Sequence, residues 1–151
     1  MKSILIFFVA ILPWGAFADL STPEQLARSF AAAVQAKDTT AIKKLIHPKF
    51  VKSLDADETK LLDGWVRSEI DNASQIKDPM QIDCKTLNSK QVAEMSTDYK
   101  WYVQPEVQIE MQCFQKSNAD DSEETNTFAD VEWAAKYQTN YYFVFRLPAD
   151  P

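Results

Sequence analysis

Glycine is almost missing: the 151 residues contain two, Gly15 and Gly64. Loops that cradle phosphate need several glycines, because only glycine lets backbone N–H groups approach the anion closely. Walker-type and dinucleotide-binding fingerprints are therefore excluded, and no cofactor is expected. Histidine is represented by His47 alone. Multi-histidine metal centres are ruled out, and a catalytic triad would have to be built on this one residue. Cysteine occurs twice, at Cys84 and Cys113, without the Cys-x-x-Cys spacing of a redox pair. Positive charge is outnumbered, with 16 Lys and Arg against 22 Asp and Glu and a net charge of −6. Phosphate backbones and anionic lipid repel such a chain, so nucleic acid and membrane surfaces are poor partners, while cationic partners stay open. Long apolar runs are lacking too: Ile4 to Leu12 is less than half of the roughly 20 residues a bilayer-spanning helix needs.

What that run does fit is an export signal. Lys2 is a short positive region, Ile4 to Leu12 the apolar stretch, and Pro13-Trp14-Gly15 breaks the segment ahead of Ala16-Phe17-Ala18. Small residues at 16 and 18 place cleavage before Asp19. The expectation is a cleaved signal peptide at 1–18 and a single domain at 19–151, periplasmic or secreted, with no membrane insertion after cleavage.

Helix signals come first in the mature chain. Thr22-Pro23-Glu24-Gln25 reads as a capping box with proline in the first turn, and Leu26, Phe30 and Val34 form one apolar stripe, predicting a helix to about Ala36. Asp38 starts a short helix with Ile42, Leu45 and Ile46 on its buried face, stopped by Pro48. Asp55 and Glu58 cap a third helix to about Ser74, with Leu61, Leu62, Trp65, Val66 and Ile70 on one face. After Pro79 the period changes to two. Met80 to Cys84, Ala93 to Val103 and Val107 to Cys113 alternate apolar and polar residues, predicting half-buried antiparallel strands. Ser117 to Asn126 reads as a solvated acidic loop. Phe128 to Tyr137 fits either a strand or a helix, with strand favoured, and Tyr141 to Phe145 is a dense β-former run.

Three helices followed by four to five antiparallel strands make an α+β layout. This order, with Thr22-Pro23-Glu24-Gln25-Leu26-Ala27-Arg28-Ser29-Phe30 and the sequel Lys37-Asp38, Ala41-Ile42 and Leu45-Ile46-His47-Pro48, resembles the nuclear-transport-factor-2-like superfamily. The resemblance implies a curved sheet wrapping the helices into a cone, and either a ligand or partner site or, in some members, an active site of Asp, Tyr or His inside it.

Cys84 and Cys113 fall on the apolar phase of two predicted strands; an oxidising compartment favours a disulfide between them, the alternative being two buried thiols. His47, read as the cation at a helix C-terminus, is assigned a structural role. The acids Asp83, Glu94, Asp98, Glu106 and Glu110 lie on the polar phase, and Asp130 and Glu132 are not assigned to one phase. No strand then supplies a clear inward base. Asp120, Asp121, Glu123 and Glu124 lack calcium-loop spacing, so no metal is expected. The apolar phase supplies Tyr99, Trp101, Tyr141, Phe143 and Phe145, joined by Trp65 and Trp133. These are core, or the aromatic wall of a ligand pocket at the mouth of the cone, with Tyr99 the best single candidate. The leading expectation is a non-catalytic exported binding module for a small apolar ligand or a protein partner, as a monomer or homodimer. The alternatives are a small hydrolase, lyase or isomerase, and an inhibitor or immunity-type protein against a basic partner.

Overall fold

A computed structural model describes residues 19–73, 80–95, 99–115 and 126–148. The expected signal peptide at 1–18 and nearly all of the expected acidic loop lie outside the described residues.

Among the described residues, four helices precede the first strand: α1 (Pro23–Gln35), α2 (Thr39–Lys44), α3 (Pro48–Ser53) and α4 (Ala56–Ala73). The α1 capping box forms as the sequence predicts, Gln25 N–H donating to Thr22 Oγ1 at 3.3 Å and Thr22 N–H to Gln25 Oε1 at 3.1 Å. The buried stripe is Leu26, Ala27, Phe30, Ala33 and Val34. At the other end Lys37 takes φ 54. Its N–H donates to Val34 and that of Asp38 to Ala33, each at 2.9 Å, so a lysine occupies the left-handed position that glycine usually fills in this kind of cap. Asp38 caps α2 by accepting from Ala41 N–H at 2.9 Å. Asp55 and Glu58 cap α4 reciprocally, each bond 2.8 Å long.

Two readings of this half are corrected. Pro48 does not stop a helix; it opens α3 from the first position, where its missing N–H costs nothing, and His47 is the N-cap rather than a C-terminal cation. Leu61 is 63% exposed instead of covering the buried face of α4.

The second half contains β1 (Met80–Thr86), α5 (Ser89–Glu94), β2 (Tyr99–Trp101), β3 (Val107–Gln115), β4 (Asn126–Tyr137), β5 (Asn140–Val144) and β6 (Arg146–Pro148). An antiparallel sheet runs β1-β3-β4-β5, and β2 pairs with β6 in a separate ribbon. Residues 128–137 are thus strand. The alternation from Ala93 to Val103 is not one strand: Asn88 and Gln91 form a capping box that carries α5 to Glu94, and the extended segment there is three residues long.

One face of the sheet is covered by helices, and the β4–β5 part of the other is covered too. On one, Val107, Ile109 and Met111 of β3, Ala134 of β4 and Phe143 of β5 pack against α1, α2 and Val66 of α4. On the other, Ala135 and Val144 pack with Val92 of α5 and Trp101 of β2. The fold is α+β, with N-terminal helices packed on a four-stranded antiparallel sheet, consistent with a nuclear-transport-factor-2-like arrangement.

Candidate functional site

The aromatic residues singled out in the sequence divide between the two faces. On the helix side, Phe30 stacks on Trp65 at 5.8 Å and meets Phe143 edge-on at 5.2 Å, and Trp65 meets Phe145 at 4.6 Å. Phe143 is fully buried. Tyr141 joins this cluster from β5, with Lys136 Nζ 5.0 Å above its ring. Trp65 and Tyr141, both half-buried, and Phe143 therefore belong to the helix-side cluster.

Trp101 and Trp133 lie on the opposite face. Their rings meet edge-on at 5.6 Å, and Val92, Leu87, Met95 and Val103 surround them. Arg146 completes the group: its guanidinium sits 5.2 Å over the Trp133 ring, and Nη1 donates to the Met95 carbonyl at 3.4 Å. The placement follows from the strand period. Trp133 precedes Ala134 of the helix-side core by one residue, so it must point the other way. Trp101 arrives through β2 and α5, which cross to this face. Both indole Nε1 atoms are buried and have no hydrogen-bond partner among the described residues. A buried donor left unpaired costs about 1–3 kcal/mol. The two indoles and the guanidinium thus form one cluster in which two buried donors are left unpaired among the described residues. Tyr99 is the first residue of β2, opposite Pro148; its side chain lies outside the described part of the structure.

One acid is buried among the apolar residues of the helix-side face. Glu132 is 5% exposed. It pairs in register with Ile109, which pairs on its other side with Cys84, so all three share the helix-side face. The sequence did not assign this carboxylate to a face because β4 carries apolar residues on both.

The expected Cys84–Cys113 bond is not made. Cys84 is a free, half-buried thiol. It stands opposite Ile109, whereas Cys113 stands opposite Met80. Four residues along β3 are about 13 Å, well beyond the Cα separation of up to about 7 Å that a disulfide spans. Burial, with Glu24 next to it, pushes the Cys84 thiol up to about 11, so it stays protonated and is a poor nucleophile.

His47 is almost fully buried at the far edge of β5. Its Nδ1 accepts from Lys49 N–H at 3.2 Å, and Nε2 lies 3.4 Å from the Lys136 carbonyl, which it satisfies as a donor in the neutral tautomer. Tyr137 and Tyr142 pack edge-on against the ring at 5.3 and 6.1 Å. Burial lowers its pKa below 6.5. Every polar atom of the ring is used, which makes it a structural joint. Among the described residues no group of three or more His, Cys, Asp or Glu could hold a metal ion, and no helix is long and apolar enough to cross a membrane.

No family model matches the chain, and no curated protein matches it. Among solved structures, it is similar to a SEC-C motif containing protein from Rhodopseudomonas palustris, at 13% identity and a TM-score of 0.48, over 87% of this chain and 82% of that one. A SEC-C motif containing protein from Psychrobacter arcticus gives 14% identity and a TM-score of 0.43, over 88% of this chain and 64% of the other.

Proposed function

We propose that the protein is an exported, non-catalytic binding module whose site is the Trp101–Trp133–Arg146 patch. One observation carries the reading: two neighbouring indole N–H groups are buried without a partner. Phenylalanine would keep much of the apolar contact with no donor to satisfy. A ligand that brings an acceptor group, such as a carboxylate, to the indoles and lays an apolar body on the rings converts that cost into affinity. Arg146, over the Trp133 ring, adds a positive group to the same cluster. A small apolar ligand with an acceptor head and a protein segment with the same chemistry both satisfy this description.

The test is native mass spectrometry of the protein recovered from its own host's envelope, together with the Trp101→Phe/Trp133→Phe double variant. The expected result is a mass excess on the wild type, lost on denaturation and absent from the variant. A co-purifying protein that the variant fails to retain would support the partner version. The bare mass from the wild type, or an excess unchanged in the variant, would remove the patch as the site.

One further observation favours a second reading, that of a small hydrolase, lyase or isomerase. Glu132 faces the helix-side interior, the position a general base inside the cone requires. That reading expects Glu132→Gln to abolish turnover of a substrate while leaving its binding intact. Its weakness is the setting: Ile109 and Ala134 beside the carboxylate are fully buried.

A further inference from the structure

The two edges of the sheet are finished differently. At the β5 edge the backbone is closed: Tyr141 N–H donates to Leu20 and Phe143 N–H to Leu45, each at 2.8 Å, and His47 N–H donates to Phe143 at 2.9 Å. At the other edge stands β1, which pairs with β3 and with no second strand among the described residues. Leu87 N–H donates to the Glu106 carbonyl at 2.8 Å, one step beyond the last register pair, Thr86 with Val107. Hydrogen-bonded and non-hydrogen-bonded pairs alternate along an antiparallel ladder. Lys85, Asp83 and Gln81 therefore direct their backbone groups to β3, and Thr86, Cys84 and Ile82 turn theirs to the open edge. Such a row of free donors and acceptors is a template for another strand.

We infer that this edge pairs with β1 of a second copy, antiparallel, about a two-fold axis at Cys84. The register follows from backbone parity and charge. Outward-turned residues must face outward-turned residues, so the axis passes through a residue and not between two. Centred on Asp83 it sets that carboxylate against itself, and centred on Lys85 it does the same with the ammonium; like charges directly opposite destabilise a ladder. Centred on Cys84, Asp83 faces the partner's Lys85 and Lys85 faces the partner's Asp83. Both are non-hydrogen-bonded pairs, in which side chains come closest. Ile82 then lies opposite the partner's Thr86. Gln81, Asp83, Lys85 and Thr86 are exposed. A two-fold axis normal to the sheet keeps the helix sides of both copies on the same side, giving one eight-stranded sheet. The Cys84 pair at the centre has Cα atoms about 5.5 Å apart as a hydrogen-bonded pair, a separation a disulfide can bridge.

The experiment combines association with cross-linking. Lys85→Asp turns both opposite-charge pairs into like-charge pairs, and by sedimentation equilibrium it should weaken dimerisation roughly tenfold or more. The double exchange Asp83→Lys/Lys85→Asp restores the pairs with reversed sign and should restore the dimer. In Cys113→Ser protein, diamide takes one hydrogen from each of two Cys84 thiols, is itself reduced to the hydrazine, and leaves a disulfide-linked dimer that Cys84→Ser abolishes. Asp83 and Lys85 are exposed and Cys84 is half-buried, and unchanged melting shows that the fold survives. The inference is overturned if the wild type is monomeric up to about 1 mM, if Lys85→Asp leaves the association constant unchanged, or if the double exchange fails to rescue.

Discussion

The two faces of the sheet are built from the same strands but solve burial in opposite ways. On the helix side the large rings are mostly phenylalanine: Phe30, Phe50, Phe143 and Phe145 meet one another or Trp65 and bring no hydrogen-bonding atom with them. On the opposite face the rings are Trp101 and Trp133, and each brings an N–H that nothing described accepts. The difference separates a wall without unpaired donors on its phenylalanines from one that keeps two.

On this division the largest stability loss comes from the helix side. Phe143→Ala removes a fully buried ring from the centre of that cluster and should cost about 3–5 kcal/mol, read from urea unfolding. A loss below about 1 kcal/mol would mean that the phenylalanine cluster is not the main core.

His47 sharpens the comparison from the β5 edge, because it is a buried polar group whose ring nitrogens are both used. Its folded pKa is lowered by burial, so the neutral form belongs to the folded state. The unfolded chain then binds the extra proton first as pH falls below about 6.5. The stabilisation is complete above 6.5 and is lost as pH drops through the folded value. Charging the ring also removes the Nδ1 acceptor that caps α3. Melting temperature should therefore fall between pH 7 and pH 5, and His47→Gln should flatten the histidine-dependent part of that fall. A slope unchanged in the variant would assign it to other groups. Further along the scale, Lys37→Gly relieves the left-handed backbone at the end of α1, offset by glycine's own entropy, for a net gain of about 0.5 kcal/mol by thermal unfolding.

That lysine also explains what the sequence displayed and what it hid. Helix starts were legible, because Thr22 with Gln25 and Asp55 with Glu58 are local chemistry, and β1 and β3 were legible from alternation on a sheet face that packs on helices. The turns were harder: Lys37 and Gln138 adopt positive φ without being glycine, so the joint after α1 and the β4–β5 hairpin carry no glycine signal. The register of β4 was hidden because a strand covered on both faces does not alternate; Val131, Trp133 and Ala135 mirror Ala134, and Glu132 could not be assigned a side. The period of two from Ala93 to Val103 misled because a short helix and a short strand, joined in sequence, imitate it, while the Asn88–Gln91 box that marks the helix was present all along. Both tryptophans were visible as aromatic candidates. Their shared face and unpaired donors were not, since these depend on which residues the chain brings together around them.

The smallest expected stability change is also the one that bears most directly on the comparison. Replacing Trp101 and Trp133 together by phenylalanine removes ring area worth about 1 kcal/mol at each position, but it also removes two buried donors whose lack of a partner costs about 1–3 kcal/mol each. In ligand-free protein these contributions oppose each other, and the double variant should melt within a few degrees of the wild type. A loss of several kcal/mol would show that both N–H groups are already satisfied in the free protein, by a trapped water for instance, and the outer face would then be as complete as the inner one. Near-neutral stability combined with lost binding leaves a single account: the indole groups are retained at a cost to folding because the acceptor arrives with the ligand.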